Sequence, residues 1–325
     1  MTTSNMQENP IKIFGITLRE IKTVGITCIF SWGFAYLATN VFRDYSFGLF
    51  IWLPTVIGAS STLIYGYSES LERKTLRNIS YVTLLIFCLG LLLFAWEGII
   101  CLLMAAPVGI FFTWVGHRIG FEIVKRKMRN SQITIIILFI SVPVLMGFED
   151  ATVGKETLRS VVTSIEINAS AEQVWKNVIS FPQLNQPEEL IFKTGIAYPI
   201  NATINGKGVG AIRRCNFSTG SFVEPITVWN EPNLLQFSVL EQPETMKELS
   251  IYDIHPNHLE GYWISKQGQF KLTRLPNGHT LLVGTTWYIN KIKPAFYWTI
   301  WSDYIVHKIH RRVLEHIKIH SESNS

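Results

Sequence analysis

Apolar residues run almost unbroken through the first half of the chain and alternate with polar ones through the second, the change falling at Glu149-Asp150. Five apolar runs, near 23–41, 47–66, 80–95, 99–116 and 132–148, approach the roughly 20 residues that a hydrocarbon core of about 30 Å demands of a helix. Hydrocarbon offers free backbone N–H and C=O groups no partner, so such runs joined by short basic connectors predict spanning helices. Between Ser80 and Gly116 the only charge is Glu97. A single helix of that length would rise about 55 Å at 1.5 Å per residue. A turn at Trp96-Glu97-Gly98 therefore predicts two spans, with the indole and the carboxylate at headgroup level.

Past the change the spacing predicts a strand over Val161 to Ile167 and then a helix start. Ser170 stands in the capping position with Gln173 three residues on, the spacing of a capping box. A short helical piece follows Phe181-Pro182, and then strands near 208–218, 221–229, 233–241, 248–254, 258–264, 267–275 and 280–290. Pro276-Asn277-Gly278 between two alternating runs reads as a hairpin turn. Pro294 opens a closing helix that runs to about Ile319. The layout is a transmembrane domain over 1–149, a linker over 150–158, an α+β domain over 159–320 and a tail over 321–325.

The length of 325 residues suits two domains, and 48% hydrophobic against 16% charged content reflects the first half. The net charge of +5 is modest and its basic residues in the first half sit in short connectors, which argues against nucleic acid as a partner. Those connectors also set orientation. Lys12, Arg19 and Lys22, then Arg73, Lys74 and Arg77, then Arg118, Lys125, Arg126, Lys127 and Arg129 occupy alternate segments, and the segments between hold Arg43 or nothing. Positive charge is retained inside, so the amino terminus is expected in the cytoplasm, and five crossings deliver the second domain to the periplasmic or outer face of a bacterial inner membrane. The spans are nearly free of ionisable side chains, which predicts an anchor rather than a transporter; Pro54, Pro107 and Pro143 read as kinks. Cys28, Cys88 and Cys101 lie in apolar runs and Cys215 stands alone in the second half, so that half has no internal disulfide.

The stretch Ser164-Ile165-Glu166-Ile167-Asn168-Ala169-Ser170-Ala171-Glu172-Gln173-Val174-Trp175 resembles the opening of the polyketide cyclase/dehydrase and lipid transport superfamily, also called SRPBCC. Residues 208–217 and 222–229 resemble its second and third strands. The resemblance covers about half of the chain and implies a START-like helix-grip fold, in which a curved antiparallel sheet grips the last helix around an apolar cavity. It does not imply one activity, because the superfamily spans lipid carriers, hormone receptors, cyclases and oxygenase subunits. Oxygenase-type members need a metal, and no tight His/Asp ligand spacing appears outside the last helix, so no metal and no cofactor are expected.

The last helix carries the candidate chemistry. At about 100° per residue, Ile305, Val306, Ile309, Val313 and Ile317 group into an apolar stripe, with Asp303 and His310 at its edge beside Leu314 and His307 just outside. Asp303 can reach His307, and Asp303 and His310 share a wall as a candidate acid/base pair. On strand 208–218, Ala211, Arg213, Cys215 and Phe217 share one face, and alternation alone leaves open which face is inward. Glu224 is a candidate inward carboxylate for Arg213. A structural role, fixing how the helix seats on the sheet, is the alternative for both pairs. Cys215 has no neighbouring base and reads as a small core residue. The aromatics Phe296, Tyr297, Trp298, Trp301 and Tyr304 either line the cavity mouth or dip into the bilayer surface. The expected function is binding of a hydrophobic small molecule or a membrane lipid. A cyclase/dehydrase-like enzyme using Asp303 and His310, and a sensory or assembly subunit with a protein partner, are the alternatives.

Overall fold

The computed structural model describes residues 12–13, 16–43, 45–67, 72–126, 131–152, 157–250, 252 and 254–323. The chain divides into two compact units, Met1–Val153 and Gly154–Ser325.

The first unit is helical. Two-residue strands β1 (Lys12–Ile13) and β2 (Ile16–Thr17) precede α1 (Leu18–Tyr36), α2 (Leu53–Gly66), α3 (Arg73–Leu93), α4 (Ile99–Lys125) and α5 (Ser131–Thr152). Helix α1 starts on a capping box in which Thr17 and Glu20 bond each other's backbone N–H; each bond satisfies a donor the helix itself leaves free. Wider π-type turns, Leu37–Val41 and Gly48–Trp52, continue α1 and lead into α2. Four helical segments, Leu18–Val41, Gly48–Gly66, Arg73–Leu93 and Ile99–Lys125, are long and apolar enough to cross a membrane, and α5 holds a shorter apolar stretch, Ile133–Leu145. Their outward faces carry exposed aliphatic and aromatic side chains such as Ile29, Phe30, Leu85, Leu89, Leu103, Phe111 and Ile136.

Helix α2 lies at the centre, with every residue but Ile64 buried. It packs on α4 at backbone distance because Gly58, Gly116 and Gly120 have no side chain at the crossing: a Cβ on Gly58 would meet the Thr113 carbonyl and one on Gly116 the Thr55 carbonyl. Small residues four apart are how helices approach closely where no hydrophobic force separates lipid from protein. Helix α4 runs nine residues past the predicted end at 116, and this brings His117 inside, 1% exposed. His117 is thus an ionisable side chain inside α4 that the predicted span, ending at 116, leaves out. His117 Nδ1 bonds Thr62 Oγ1 at 3.0 Å, Thr62 bonds Ser80 at 2.9 Å and Ser61 bonds Ser80 at 3.0 Å, tying α4, α2 and α3 together.

The second unit is a seven-stranded antiparallel sheet, ordered β3-β9-β8-β7-β6-β5-β4, that holds one long helix. The strands are β3 (Leu158–Ile167), β4 (Pro199–Asn205), β5 (Ile212–Phe217), β6 (Gly220–Asn230), β7 (Leu234–Ser238), β8 (Trp263–Arg274) and β9 (Thr280–Asn290); α6 (Ala171–Ile179) and α7 (Leu190–Lys193) follow β3, and α8 (Ala295–Glu322) closes the chain. A sheet gripping a closing helix is the helix-grip arrangement that the resemblance leads one to expect. Register shifts at Pro199/Asn201, Ile226/Val228 and Ser265/Gln267 bend the sheet, as an extra residue on one strand does. Ser170 and Gln173 form the predicted capping box of α6, and Gly278 takes the positive φ of 86° that the hairpin turn needs.

Three strand predictions change. β4 is absent from the strands predicted above; it pairs with β5, opens on Pro199 at the sheet edge, where a missing donor costs nothing, and is covered by backbone bonds from Phe181 and Leu184 to Ala202 and Ile200. Residues 248–250 form no strand, and positions 251 and 253 of that predicted run lie outside the described residues. The run 258–264 is a single helical turn, Asn257–Leu259, followed by the start of β8, which continues through a bulge to Arg274.

Candidate functional site

The inner face of β5 is settled by burial: Arg213 and Cys215 point in and Arg214 points out. Antiparallel pairing sets Arg213 directly opposite Glu224 of β6, and the guanidinium Nη1 donates to Glu224 Oε2 with both side chains buried. The Arg213 Nε–H donates to the Ile179 carbonyl at 3.3 Å. Three phenyl rings surround the guanidinium, with centroids 5.6 Å away at Phe181, 5.3 Å at Phe237 and 5.7 Å at Phe270, within reach of the negative faces of the rings. Burial pushes the Glu224 carboxyl up, and the Arg213 charge beside it pulls it back. Burial also pushes the Cys215 thiol up to about 12, so it is a packed, unreactive side chain. Val313, Leu314 and Ile317 of α8 close the same core together with Val174, Trp175 and Val178 of α6.

A second polar cluster lies where α8 runs along β3 and β9. Asp303 accepts from the Tyr288 hydroxyl at 2.5 Å and from Arg159 Nη2 at 3.0 Å. Burial, and then the Asp303 carboxylate, raise the Tyr288 phenol well above its usual range, which keeps it a proton donor to Asp303. One turn on, Thr163 Oγ1 lies 2.9 Å from His307 Nδ1 and 3.0 Å from His310 Nδ1. A hydroxyl has a single proton, so it donates to one imidazole and accepts from the other. Thr286 Oγ1 meets His310 Nε2 at 2.7 Å. Burial, and then His307, push His310 down to about 4. A groove of about 240 Å³ opens here, lined by Thr163, Ser164, His307, Arg311 and Leu314 among others.

The predicted site residues thus fall into two groups. Arg213, Cys215 and Glu224 come together on the concave face. His307 and His310 meet through Thr163, while Asp303 is engaged by Tyr288 and Arg159 and makes no hydrogen bond or ion pair with His307 or His310. The expected direct Asp303–His307 contact is corrected, because side chains of β3 and β9 reach these groups first, and Asp303 and His310 stand on α8 with separate hydrogen-bond partners. The buried stripe of α8 is Val306, Val313, Leu314 and Ile317, with Ile305 and Ile309 only half-buried. Trp298 is buried in the first turns of α8, packed edge-on against Tyr297 at 5.4 Å, and Trp301 is half-buried. Thr163, Thr286, Tyr288, Arg159 and the three phenylalanines are not singled out by the sequence. Their membership depends on which strands are neighbours, a long-range property with no local signal.

No family model matches the chain. No curated protein matches it either. Among solved structures it is similar to a protein of Nitrosospira multiformis, at 19% identity over 51% of this chain and 100% of that one, with a TM-score of 0.33. A point mutant of norcoclaurine synthase from Thalictrum flavum, in complex with a transition-state analogue, aligns at 13% identity over 53% of this chain and 100% of that one, TM-score 0.34. An aromatase/cyclase from a Streptomyces species aligns at 14% identity over 51% and 94%, TM-score 0.34.

Proposed function

We propose that the chain is a membrane-anchored START-like module that binds a hydrophobic small molecule or lipid between its curved sheet and α8. The observation that carries the reading is the Arg213–Glu224 pair, 2% and 8% exposed at its side chains, set among Phe181, Phe237 and Phe270. Desolvating two charges costs several kcal/mol each even after relaxation, and apolar side chains of similar volume seat a helix as well or better. A polar foothold in an aromatic wall suits an amphiphile, whose head engages the pair while its body replaces contacts with the rings.

The four long apolar helices support an integral anchor, with α5 as the fifth crossing, the amino terminus cytoplasmic and the second unit on the outer face. A lipid drawn from the adjacent leaflet then has a short path to the domain. The enzyme reading is the weaker one, since Asp303 and His310 each spend their hydrogen bonds on other partners.

Native mass spectrometry of the detergent-purified full-length protein, with organic extraction of what it carries, tests the proposal. A discrete co-purifying lipid or isoprenoid is expected. Protein that carries none and also fails to take up fluorescent fatty-acyl probes would overturn it.

A further inference from the structure

We infer that the first three turns of α8 form a surface that lies in the headgroup region of the bilayer. The inference rests on the anchored reading above and adds which face of the second unit meets lipid.

The direction of α8 follows from its partners on β3. Arg159 bonds Asp303, Thr163 bonds His307 and His310, and Lys318 Nζ bonds the Glu166 carbonyl. The Asn168 N–H bonds Glu322. Strand and helix therefore run side by side in the same direction, and the turns of α8 before Asp303 extend past the start of β3. That end is also where the chain enters the unit. Only residues 153–157 separate Thr152, the last residue of α5, from Leu158, a stretch that reaches about 20 Å at full extension.

The side chains at this end are unlike those of an ordinary solvated helix. Phe296, Ile300 and Tyr304, at four-residue spacing on one face of α8, are 68%, 65% and 45% exposed. From Trp287 to Ser302 there is no acidic residue, whereas Lys291 and Lys293 precede the helix. Lys308 sits one turn beyond Tyr304 with its Nζ 5.8 Å from the ring centroid. Asp303, the first carboxylate after this stretch, is already neutralised by Arg159.

Aromatic side chains flanked by lysines are the composition of the membrane interface: the rings sit at the depth of the headgroups and the ammonium groups meet lipid phosphates. Water is a poor match for this face, because burying such rings is worth about 25 cal/mol per Å². Lys308, held against the Tyr304 ring, places a positive charge beside the exposed face, which favours an anionic leaflet.

The test uses the full chain in its native membrane. A benzophenone-bearing phenylalanine analogue is placed at position 296 or, separately, at 300, and as a reference at 277 in the β8–β9 turn. After irradiation, adducts are identified by mass. The inference expects phospholipid adducts at 296 and 300 on the order of tenfold above those at 277, as interfacial burial of an aromatic predicts. Adducts to another protein or to a second copy of this chain, or yields equal to those at 277, would overturn it. An alkaline wash of the same membranes separates the two claims. A chain that stays in the pellet but gives no lipid adduct sinks the inference and leaves the anchor standing, whereas a chain released by the wash sinks both.

Discussion

Between α2, α3 and α4 of the helical unit the buried polar network is made of hydroxyls and one imidazole, Ser61, Thr62, Ser80 and His117, and the unit's buried carboxylate, Glu97, accepts from the Tyr45 hydroxyl at 3.2 Å, whereas the second unit buries a guanidinium against a carboxylate, Arg213 on Glu224. Each unit also holds a histidine on a threonine. His310 has both nitrogens engaged, by Thr163 and Thr286, while His117 has Thr62 on Nδ1 and no hydrogen-bond partner on Nε2 among the described residues. The contrast follows from how each unit satisfies its backbone. A helix closes its own hydrogen bonds, so side chains between helices are free to be small and neutral, and close approach through glycine supplies the contact energy. A sheet paired edge to edge has a rigid inner face, and a charge pair placed on directly opposed residues costs little extra ordering because the register already aligns it.

The largest expected effect lies at the pair. Glu224→Ala leaves the Arg213 charge buried and uncompensated, which is expected to cost about 3–5 kcal/mol. The double variant Arg213→Leu with Glu224→Leu removes both charges and is expected to recover most of that. Hydrogen exchange of β5 and β6 in the full-length chain reports both. A double variant no better than the single one would mean that the pair is needed for itself rather than for mutual neutralisation.

How much of this could be read from the chain depends on how local the cause is. The Ser170/Gln173 box and the Pro276-Asn277-Gly278 turn are fixed within four residues, and both stand where the sequence predicts them. The Arg213–Glu224 contact is reachable by alternation once the two strands are taken as neighbours. β4 is easily passed over although Ile200, Ala202 and Ile204 alternate with Asn201, Thr203 and Asn205, because the run is short and its place is set by β5 and the 181–184 segment, which are distant in sequence or not strands themselves. His117 is hidden because an apolar run ends at the first polar residue, while helix packing continues through Gly116 and Gly120. The helical wheel locates Asp303, His307 and His310 on α8 but is blind to Tyr288, Arg159 and Thr163, which come from other strands and decide what those groups do.

A pH titration sharpens the comparison from the other side. His310 titrates near 4 in the fold because of burial and the neighbouring His307, against about 6.5 in an unfolded chain. The unfolded state then takes up a proton as pH falls through 6.5 and the folded state resists until about 4, so the stabilisation is complete above 6.5 and is lost progressively as pH drops between those values. The loss is at most about 3 kcal/mol. His310→Gln keeps a hydrogen-bonding side chain without the titration, and its unfolding temperature is expected to depend less steeply on pH over that window. An unchanged slope would assign the acid sensitivity to His258 or His316, which burial also pushes down to about 4.

The smallest effect belongs to the helical unit and is the more informative for being small. Thr62→Val keeps the shape of the side chain and removes the hydroxyl that joins His117 to Ser80. Between membrane helices such a bond is worth about 0.6 kcal/mol and rarely beyond 1.7, because helices that come apart find other partners. If α2 and α4 are held by their glycine crossing, the variant should melt within about 1–3 °C of the parent, as a loss of that size implies for a domain of this length, while Gly116→Val, which drives a side chain into the Thr55 carbonyl, should melt far lower. The reverse order would mean that the hydroxyl and imidazole network holds the helices and the glycines merely permit it. The helical unit would then resemble its partner in resting on a buried polar contact, and the contrast between the two would reduce to whether that contact is neutral, as at His117, or an ion pair, as at Arg213.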